Sequence, residues 1–261
     1  MTRPSVPPTF RWIDAAWGGA LQCVPLAAAA PHLFTTRQLA LSSPGDLRAL
    51  AQTLGASAIH MVKQVHGRHV EIVRAGEPRG GEPVEADALV SNDRTAAVAV
   101  RAADCVPLLM ADRARGVVAA VHAGWRGTAA RVAGAALDAL QREFGTHPRD
   151  IVAAIGPSIG ACCYEVGSEV VDAFASAGHE RYLIDRWFPA LPPPRGSLHA
   201  GRPRLRLDVA GANRDQLILA GVSEADIHVA GLCTAEHLDL LTSYRAERER
   251  AGRMAAAIKP K

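Results

Sequence analysis

One stretch constrains this chain more than any other: Arg101–Thr128, RAADCVPLLMADRARGVVAAVHAGWRGT. Val106–Ala111 and Val117–Val121 are uninterrupted apolar runs, and the polar segment Asp112–Gly116 separates them. Short apolar runs bounded by turn residues predict two strands of a hairpin. Cys105 sits just before the first strand and His122 just after the second. A hairpin that closes symmetrically about its turn puts these two residues opposite each other, on one face, with Cβ atoms roughly 4.5–5.5 Å apart. A thiolate and an imidazole at that spacing can share a metal ion or form a nucleophile–base pair. A one-residue slip of register parts them.

The 261 residues suit one large domain or two small ones. With 49% hydrophobic and 21% charged residues the chain is globular, and a core of this size needs no covalent staples. The formal net charge is +3 and the arginines are spread along the chain, a pattern that fits a small anionic substrate and gives no footprint for nucleic acid. Five cysteines without framework spacing point to a reducing compartment, where a cysteine serves as ligand, nucleophile or core filler. No apolar run reaches the ~18 residues of a membrane span. Leu21–Ala30 (LQCVPLAAAA) lies late and behind Asp14, so it is not read as a secretory signal. The expectation is a cytoplasmic monomer without nucleic-acid or membrane partners.

In chain order, Met1–Phe10 is a Pro-rich arm, and residues 1–33 are taken as that arm with the first elements of a domain spanning 34–261. Phe34–Arg37 is a short strand. Pro44–Leu54 carries helix start and stop signals. Met61–Val65 and His69–Val73 are expected as strands around a turn at His66–Arg68, and Ala86–Val90 and Ala96–Arg101 as further strands. Thr128–Phe144 is the clearest helix, striped by Val132, Ala135, Ala136, Leu140 and Phe144 and closed by Gly145. Ile151–Ile155 is a buried strand, Ser168–Ala177 a helix, and Ala190–Pro203 the longest loop. Arg204–Val209, Ile227–Leu232 and Met254–Ile258 are strands, with a helix at Ala210–Leu219. Hairpins and consecutive strands are too common for a βαβ repeat, so the pattern points to a mixed-sheet α/β or α+β fold class.

For chemistry, Cys105, His122 and His66 make a Cys/His/His set that leaves the fourth zinc position open, the arrangement of catalytic rather than structural sites. His69 and His60 compete for the third place, because strand alternation does not choose among them. Asp104 can orient a histidine, shuttle a proton, or be a strand-end carboxylate. HAGWRGT (His122–Thr128) has glycines that let a ligand approach the backbone, and Arg126 as a bidentate donor at a helix N-terminus; a phosphate can sit there, or the glycines serve only the turn and Arg126 pairs with a carboxylate. In GPSIGACCYEVG at least one of Cys162 and Cys163 is expected to face the core, while Tyr164 and Glu165 can line a pocket, or Glu165 can instead cap the next helix. Arg37, Arg101 and Arg245 are individually uninformative.

KQVHG, ADALVSN, ADCVPLLMAD, VHAGWRG, IGPSIGACCYEVG, LCT, SYR and the closing Gly252-Arg253 together resemble one known family, in order from about Phe34 to Ile258. It is the purine nucleoside phosphorylase family formerly called polyphenol oxidase or laccase-domain proteins, which includes bacterial peptidoglycan editing factors. The resemblance implies a single α/β domain of layered mixed β-sheets flanked by helices, with zinc held by His66, Cys105 and His122. It also implies phosphorolysis of adenosine, inosine, guanosine and S-methyl-5'-thioadenosine, and deamination of adenosine. Arg37, Arg126 and Arg245 fall where substrate or phosphate contacts are expected, and Asp104 and Arg126 join the metal trio as catalytic candidates. The sequence departs from the family pattern at Gln38–Leu41, where two glycines and a longer segment are usual, and at Ala246, where a second arginine is usual.

Two other activities compete. An amide hydrolase acting on peptidoglycan precursors can use Cys105 as nucleophile and His122 as base. A copper-dependent polyphenol oxidase needs paired His-x-His clusters, and the ten histidines here form none, although copper at the trio is chemically reasonable.

Overall fold

The computed structural model describes residues 3–39, 41, 43–77, 82–191 and 204–261. Its core is two six-stranded mixed sheets stacked face to face. The first sheet contains β1 (Phe10–Ala15), β2 (Gly18–Cys23), β3 (His32–Thr35), β4 (Ala58–His60), β7 (Ala96–Ala102) and β15 (Met254–Ile258), in the order β1-β2-β3-β15-β7-β4. The second contains β5 (Val70–Val73), β6 (Ala88–Ser91), β8 (Val106–Asp112), β9 (Val118–Ala123), β10 (Ile151–Ile155) and β14 (Ile227–Val229), in the order β14-β10-β8-β9-β6-β5. A small third sheet joins β11 (Glu165–Val166), β12 (Ala190–Leu191) and β13 (Arg204–Arg206). The expected mixed-sheet α/β class is the observed one.

Strand alternation explains the layering. Ala97 and Ala99 of β7 pack on one side with Leu50 and Leu54, from or just past α2 (Pro44–Thr53). Val98 and Val100 point the other way, to meet Leu109, Val118, Ala120 and Val152 of the second sheet. That sheet's opposite face, with Leu108, Met110 and Val121, packs on α4 (Val132–Phe144), α5 (Ser168–Ser176), α6 (Arg181–Trp187) and α7 (Val209–Leu219). The order of layers is therefore helix, sheet, sheet, helices. β8 and β9 lie in the middle, buried on both faces, which is why they read as continuous apolar runs. Truncating a central side chain such as Leu109 to alanine costs about 2–5 kcal/mol.

Several expectations are revised. Residues 10–23 are two strands of the first sheet, followed by α1 (Val24–Ala29) where the signal-like segment lies. Met61–Val65 and His69–Val73 do not form a hairpin. β4 belongs to the first sheet and β5 to the second, so residues 61–69 cross from one sheet to the other. Ala103–Cys105 makes a second, three-residue crossover from β7 to β8. The expected long helix from Thr128 is two helices, α3 (Trp125–Ala129) and α4, broken at Arg131 in the left-handed region (φ 60°). The carbonyls of Thr128 and Ala129 accept from the side chains of Gln216 and His179, and Arg131 donates to the carbonyls of Ala177 and Gly178 at the end of α5. Tertiary hydrogen bonds thus replace helix continuation. α6 was not expected from the sequence; it follows α5 after Gly178, whose left-handed backbone (φ 73°) closes that helix. Most of the long loop expected at 190–203 lies outside the described residues.

The two main sheets approach closely where Gly156 follows β10. A Cβ built there would lie 2.3 Å from the buried Phe34 ring of β3. Gly156→Ala is expected to destabilise the protein by about 1–3 kcal/mol through overpacking, read as a lower urea midpoint at unchanged slope.

Candidate metal centre and cleft

Both crossovers end at the same edge of the stacked sheets, and they bring His66 and Cys105 together. The hairpin supplies His122. The observed register pairs Val106 with Ala123 and Pro107 with His122. Extended by one residue, it sets Cys105 opposite Gly124, so the expected Cys105–His122 pairing is displaced by two residues. A two-residue displacement preserves the face, and both side chains still point between the sheets. The donor atoms of His66, Cys105 and His122 lie within 4.8 Å of one another, with Cys105 Sγ 3.8 Å from His66 Nε2. His60 and His69 are not in this group. Gly124 is required here: a Cβ would sit 2.9 Å from Cys105 Sγ and 2.9 Å from the His66 ring.

Asp87, for which no role was read from the sequence, organises the trio. It stands across from His122 one position before β6, where its carbonyl accepts from the His122 amide at 2.7 Å. Its carboxylate is fully buried and holds His122 Nδ1 at 2.8 Å. The same carboxylate accepts from the amides of Val65, His66 and Gly67 at 3.3, 2.9 and 2.6 Å. These bonds hold His66 in the left-handed conformation (φ 62°) that a non-glycine residue rarely adopts. Gln64 secures the turn from the other side, exchanging two hydrogen bonds with the backbone of Arg101. In the sequence Asp87 stands within ADALVSN, an acidic residue at the start of an apolar strand, which by itself does not specify this role.

The electrostatics follow from these contacts. Burial opposes ionisation of Cys105, but hydrogen bonds and charge from His122 and His66 outweigh it and bring the thiol down to about 6. Burial likewise opposes protonation of His122, yet Asp87 and Cys105 raise it to about 9. Burial alone would raise Asp87; the His122 ring and the amides of Gly67 and His66 hold it below the usual carboxylate value. A thiolate and two imidazoles converging from three segments suit a borderline-soft cation such as zinc, with a protein carboxylate orienting one ligand ring. His122 bonds Asp87 through Nδ1, which leaves Nε2 for the metal.

Around the trio lies a cleft of about 1000 Å³, walled by Trp125, Tyr164 and Tyr244 and by the cations Arg101, Arg126, Arg245, Arg248 and Arg253. Arg126 stacks over Trp125 at 4.3 Å and Arg245 over Tyr164 at 5.3 Å, so each guanidinium is held beside an aromatic wall. The HAGWRGT run leads into the five-residue α3 rather than directly into the long helix, and the positive charge at the cleft is carried by arginine side chains. Arg245 lies in α8 (Tyr244–Glu247), whose start is fixed by Asp104. The Asp104 carboxylate accepts from the Arg245 amide and the Thr234 hydroxyl, both at 2.6 Å, and its own backbone is left-handed (φ 87°). Asp104 therefore ties the short crossover to α8, and it lines the cleft beside Cys105. Arg37 does not line the cleft: its guanidinium bonds Glu247 and the carbonyls of Leu238 and Leu241, bracing the segment before and into α8. Part of the atypical Gln38–Leu41 segment lies outside the described residues, although Leu41 borders the cleft.

Two outcomes are expected. Asp87→Asn should weaken metal binding about 10–100-fold in competition with a chelator, because His122 loses its orienting partner. In the metal-free protein, iodoacetamide alkylation of Cys105 should rise through about pH 6 and move back toward ~8.5 in His122→Ala. The lowered thiol stabilises the fold above its unfolded pKa and loses that contribution as pH falls through about 6. The raised His122 stabilises it below ~6.5 and loses that contribution as pH rises through about 9, so the pair contributes most between these limits.

Known proteins share this architecture. The family described as "Multi-copper polyphenol oxidoreductase laccase" matches residues 45–261. A Deinococcus radiodurans protein named purine nucleoside phosphorylase is 35% identical over 250 residues, covering 88% of this chain and 89% of its own length. A Bacteroides thetaiotaomicron protein of the same name is 36% identical over 173 residues, 66% of this chain and 60% of its own length. A protein named adenosine deaminase RL5, from an unknown prokaryotic organism, is 39% identical over 160 residues, 61% of this chain and 56% of its own length. The crystal structure of YlmD from Geobacillus stearothermophilus superimposes with a TM-score of 0.79 at 31% identity, covering 98% of this chain and all of that one. With most of its length matched in sequence and nearly all of it in fold, this chain belongs to the multi-copper polyphenol oxidoreductase laccase family, alongside bacterial proteins named purine nucleoside phosphorylase.

Proposed function

We propose that this protein is a zinc-dependent purine nucleoside phosphorylase that also deaminates adenosine, and that residues 10–33, which complete the first sheet, belong to the same catalytic unit as residues 34–261. The observation that carries the reading is the junction of a His66–Cys105–His122 metal group with a cleft rimmed by five arginines and walled by aromatic side chains. Phosphorolysis needs an oxyanion held beside a flat aromatic base. Arg126 and Arg245 can each offer a planar, bidentate donor to phosphate, and Trp125 and Tyr164 offer faces for the base. A purine leaving as an anion also needs a proton. Burial, and next the negative charge of Cys105, raise the Tyr164 hydroxyl, so it stays neutral and can donate a hydrogen bond to the departing base, while the proton itself comes from solvent. Zinc bound by the trio would supply Lewis acidity and the activation of water that deamination requires. Asp87 keeps His122 in one tautomer and one orientation throughout. The names of the Deinococcus and RL5 relatives support both activities.

A second reading has its own observation. Asp87, His122 and Cys105 form a carboxylate–imidazole–thiolate series, the arrangement of a cysteine amide hydrolase. The two readings separate in one experiment. Purified zinc-loaded protein incubated with adenosine should give adenine and ribose 1-phosphate only when phosphate is present, and inosine in either case. Zinc removal should abolish both. Amide cleavage that survives zinc removal, with no nucleoside turnover, would replace the phosphorylase reading by the hydrolase. Arg126→Ala should raise the phosphate concentration for half-maximal rate about tenfold or more, as expected for a lost charge-assisted hydrogen bond, with a smaller change for adenosine. Equal changes for both would remove Arg126 from the phosphate site.

A further inference from the structure

Cys162, Cys163 and Cys233 are not used by the proposed reaction, yet their sulfurs lie within 4.8 Å of one another. All three are free thiols. Two segments bring them together: the turn after β10 carries Cys162 and Cys163, and the segment after β14 carries Cys233. The segments are joined by a parallel bridge between Ser158 and Cys233, in which the Ser158 amide donates to the Leu232 carbonyl and the Thr234 amide to the Ser158 carbonyl. Arg206, largely buried, donates to the Cys162 carbonyl and fixes the turn from its other side. The Gly160 amide already donates to Cys233 Sγ at 3.3 Å. A Cβ at Gly160 would come within 3.1 Å of Cys162 Sγ and 3.4 Å of Cys233 Cβ, so the absence of a side chain there keeps the space between the sulfurs free.

We propose that Cys162, Cys163 and Cys233 form a second metal site, distinct from the His66–Cys105–His122 group, that binds a soft monovalent cation of the copper(I) class through three thiolates. The donor set decides the class of metal. It contains three sulfurs and no imidazole, the ligation that favours copper(I), whereas zinc held structurally takes four ligands. Access comes from a separate cavity of about 380 Å³, lined by Cys162, Cys233, Glu236 and Trp187, none of which borders the arginine-rich cleft. On binding, each ligating thiol gives its proton to solvent, and no electron is transferred. The site also touches the cleft through the chain: Tyr164 follows Cys163, and Thr234, which bonds Asp104, follows Cys233. A cation there would clamp together the two segments that support one wall of the cleft.

The proposal does not depend on the nucleoside reading and is tested by metal uptake alone. Cys105→Ala protein, which lacks the thiol of the other group, is reduced and titrated anaerobically with copper(I) held by a chromogenic chelator. One equivalent should pass to the protein, with an X-ray absorption spectrum showing sulfur-only coordination. Adding Cys162→Ser and Cys163→Ser to that background should abolish the transfer; neither side chain is fully buried, so the fold should survive. No transfer to the Cys105→Ala protein, equal transfer to the triple variant, nitrogen in the coordination shell, or uptake of zinc(II) in preference to copper(I) would each overturn the proposal.

Discussion

The buried carboxylate of Asp87 is the contact on which the candidate site depends. It binds two parts of the chain that have no other reason to meet: the inter-sheet crossover at 65–67 and the end of β9. A fully buried carboxylate is costly unless it is paired and hydrogen-bonded, and here the His122 ring and three amides satisfy it. Those same bonds hold His66 in a strained backbone conformation and fix the His122 tautomer. Removing the carboxylate leaves buried donors without a partner, a loss of about 3–5 kcal/mol in addition to any loss of metal. Strain and pre-organisation thus have one origin at this site.

A similar economy applies to Asp104. The step from β7 to β8 takes only three residues, and the left-handed turn at Asp104 makes it possible. Its carboxylate then fixes Thr234 and the start of α8, so a residue needed for the crossover also sets the position of Arg245. Arg37 braces α8 from outside through Glu247. The arginines of the cleft come from β7, α3, α8 and the segment leading to β15, and only the stacking of the two sheets brings these segments to one edge. This explains why the arginines looked uninformative when taken one at a time along the chain.

Much of the architecture was legible in the sequence because it rests on local patterns. The apolar runs of β8 and β9, the stripe and glycine stop of α4, and the proline start and glycine stop of α2 are short-range features that burial reinforces. Cys105 and His122 were legible as a pair for a more specific reason. The hairpin register differs from the symmetric one by two residues, and strand alternation returns a side chain to the same face every two residues. A one-residue difference would have parted them. The break between α3 and α4 was not legible, because the side chains of Gln216 and His179 that end α3 are distant in sequence.

The sequence by itself determined the mixed α/β class, the central hairpin, the principal helices and the residue types of the metal trio, since composition, periodicity and turn chemistry act over a few residues. Spacing alone left His66, His60 and His69 open and the family resemblance pointed to His66; the tertiary structure brings His66 to Cys105 and His122, has Asp87 hold it, and ties Arg37 to Glu247 and to carbonyls before α8. It alone decided that Cys233 meets Cys162 and Cys163. The physical reason is the same in each case. These choices depend on which crossover passes over which strand end, and that is set when two sheets bury their shared face, an interaction between segments tens to more than a hundred residues apart.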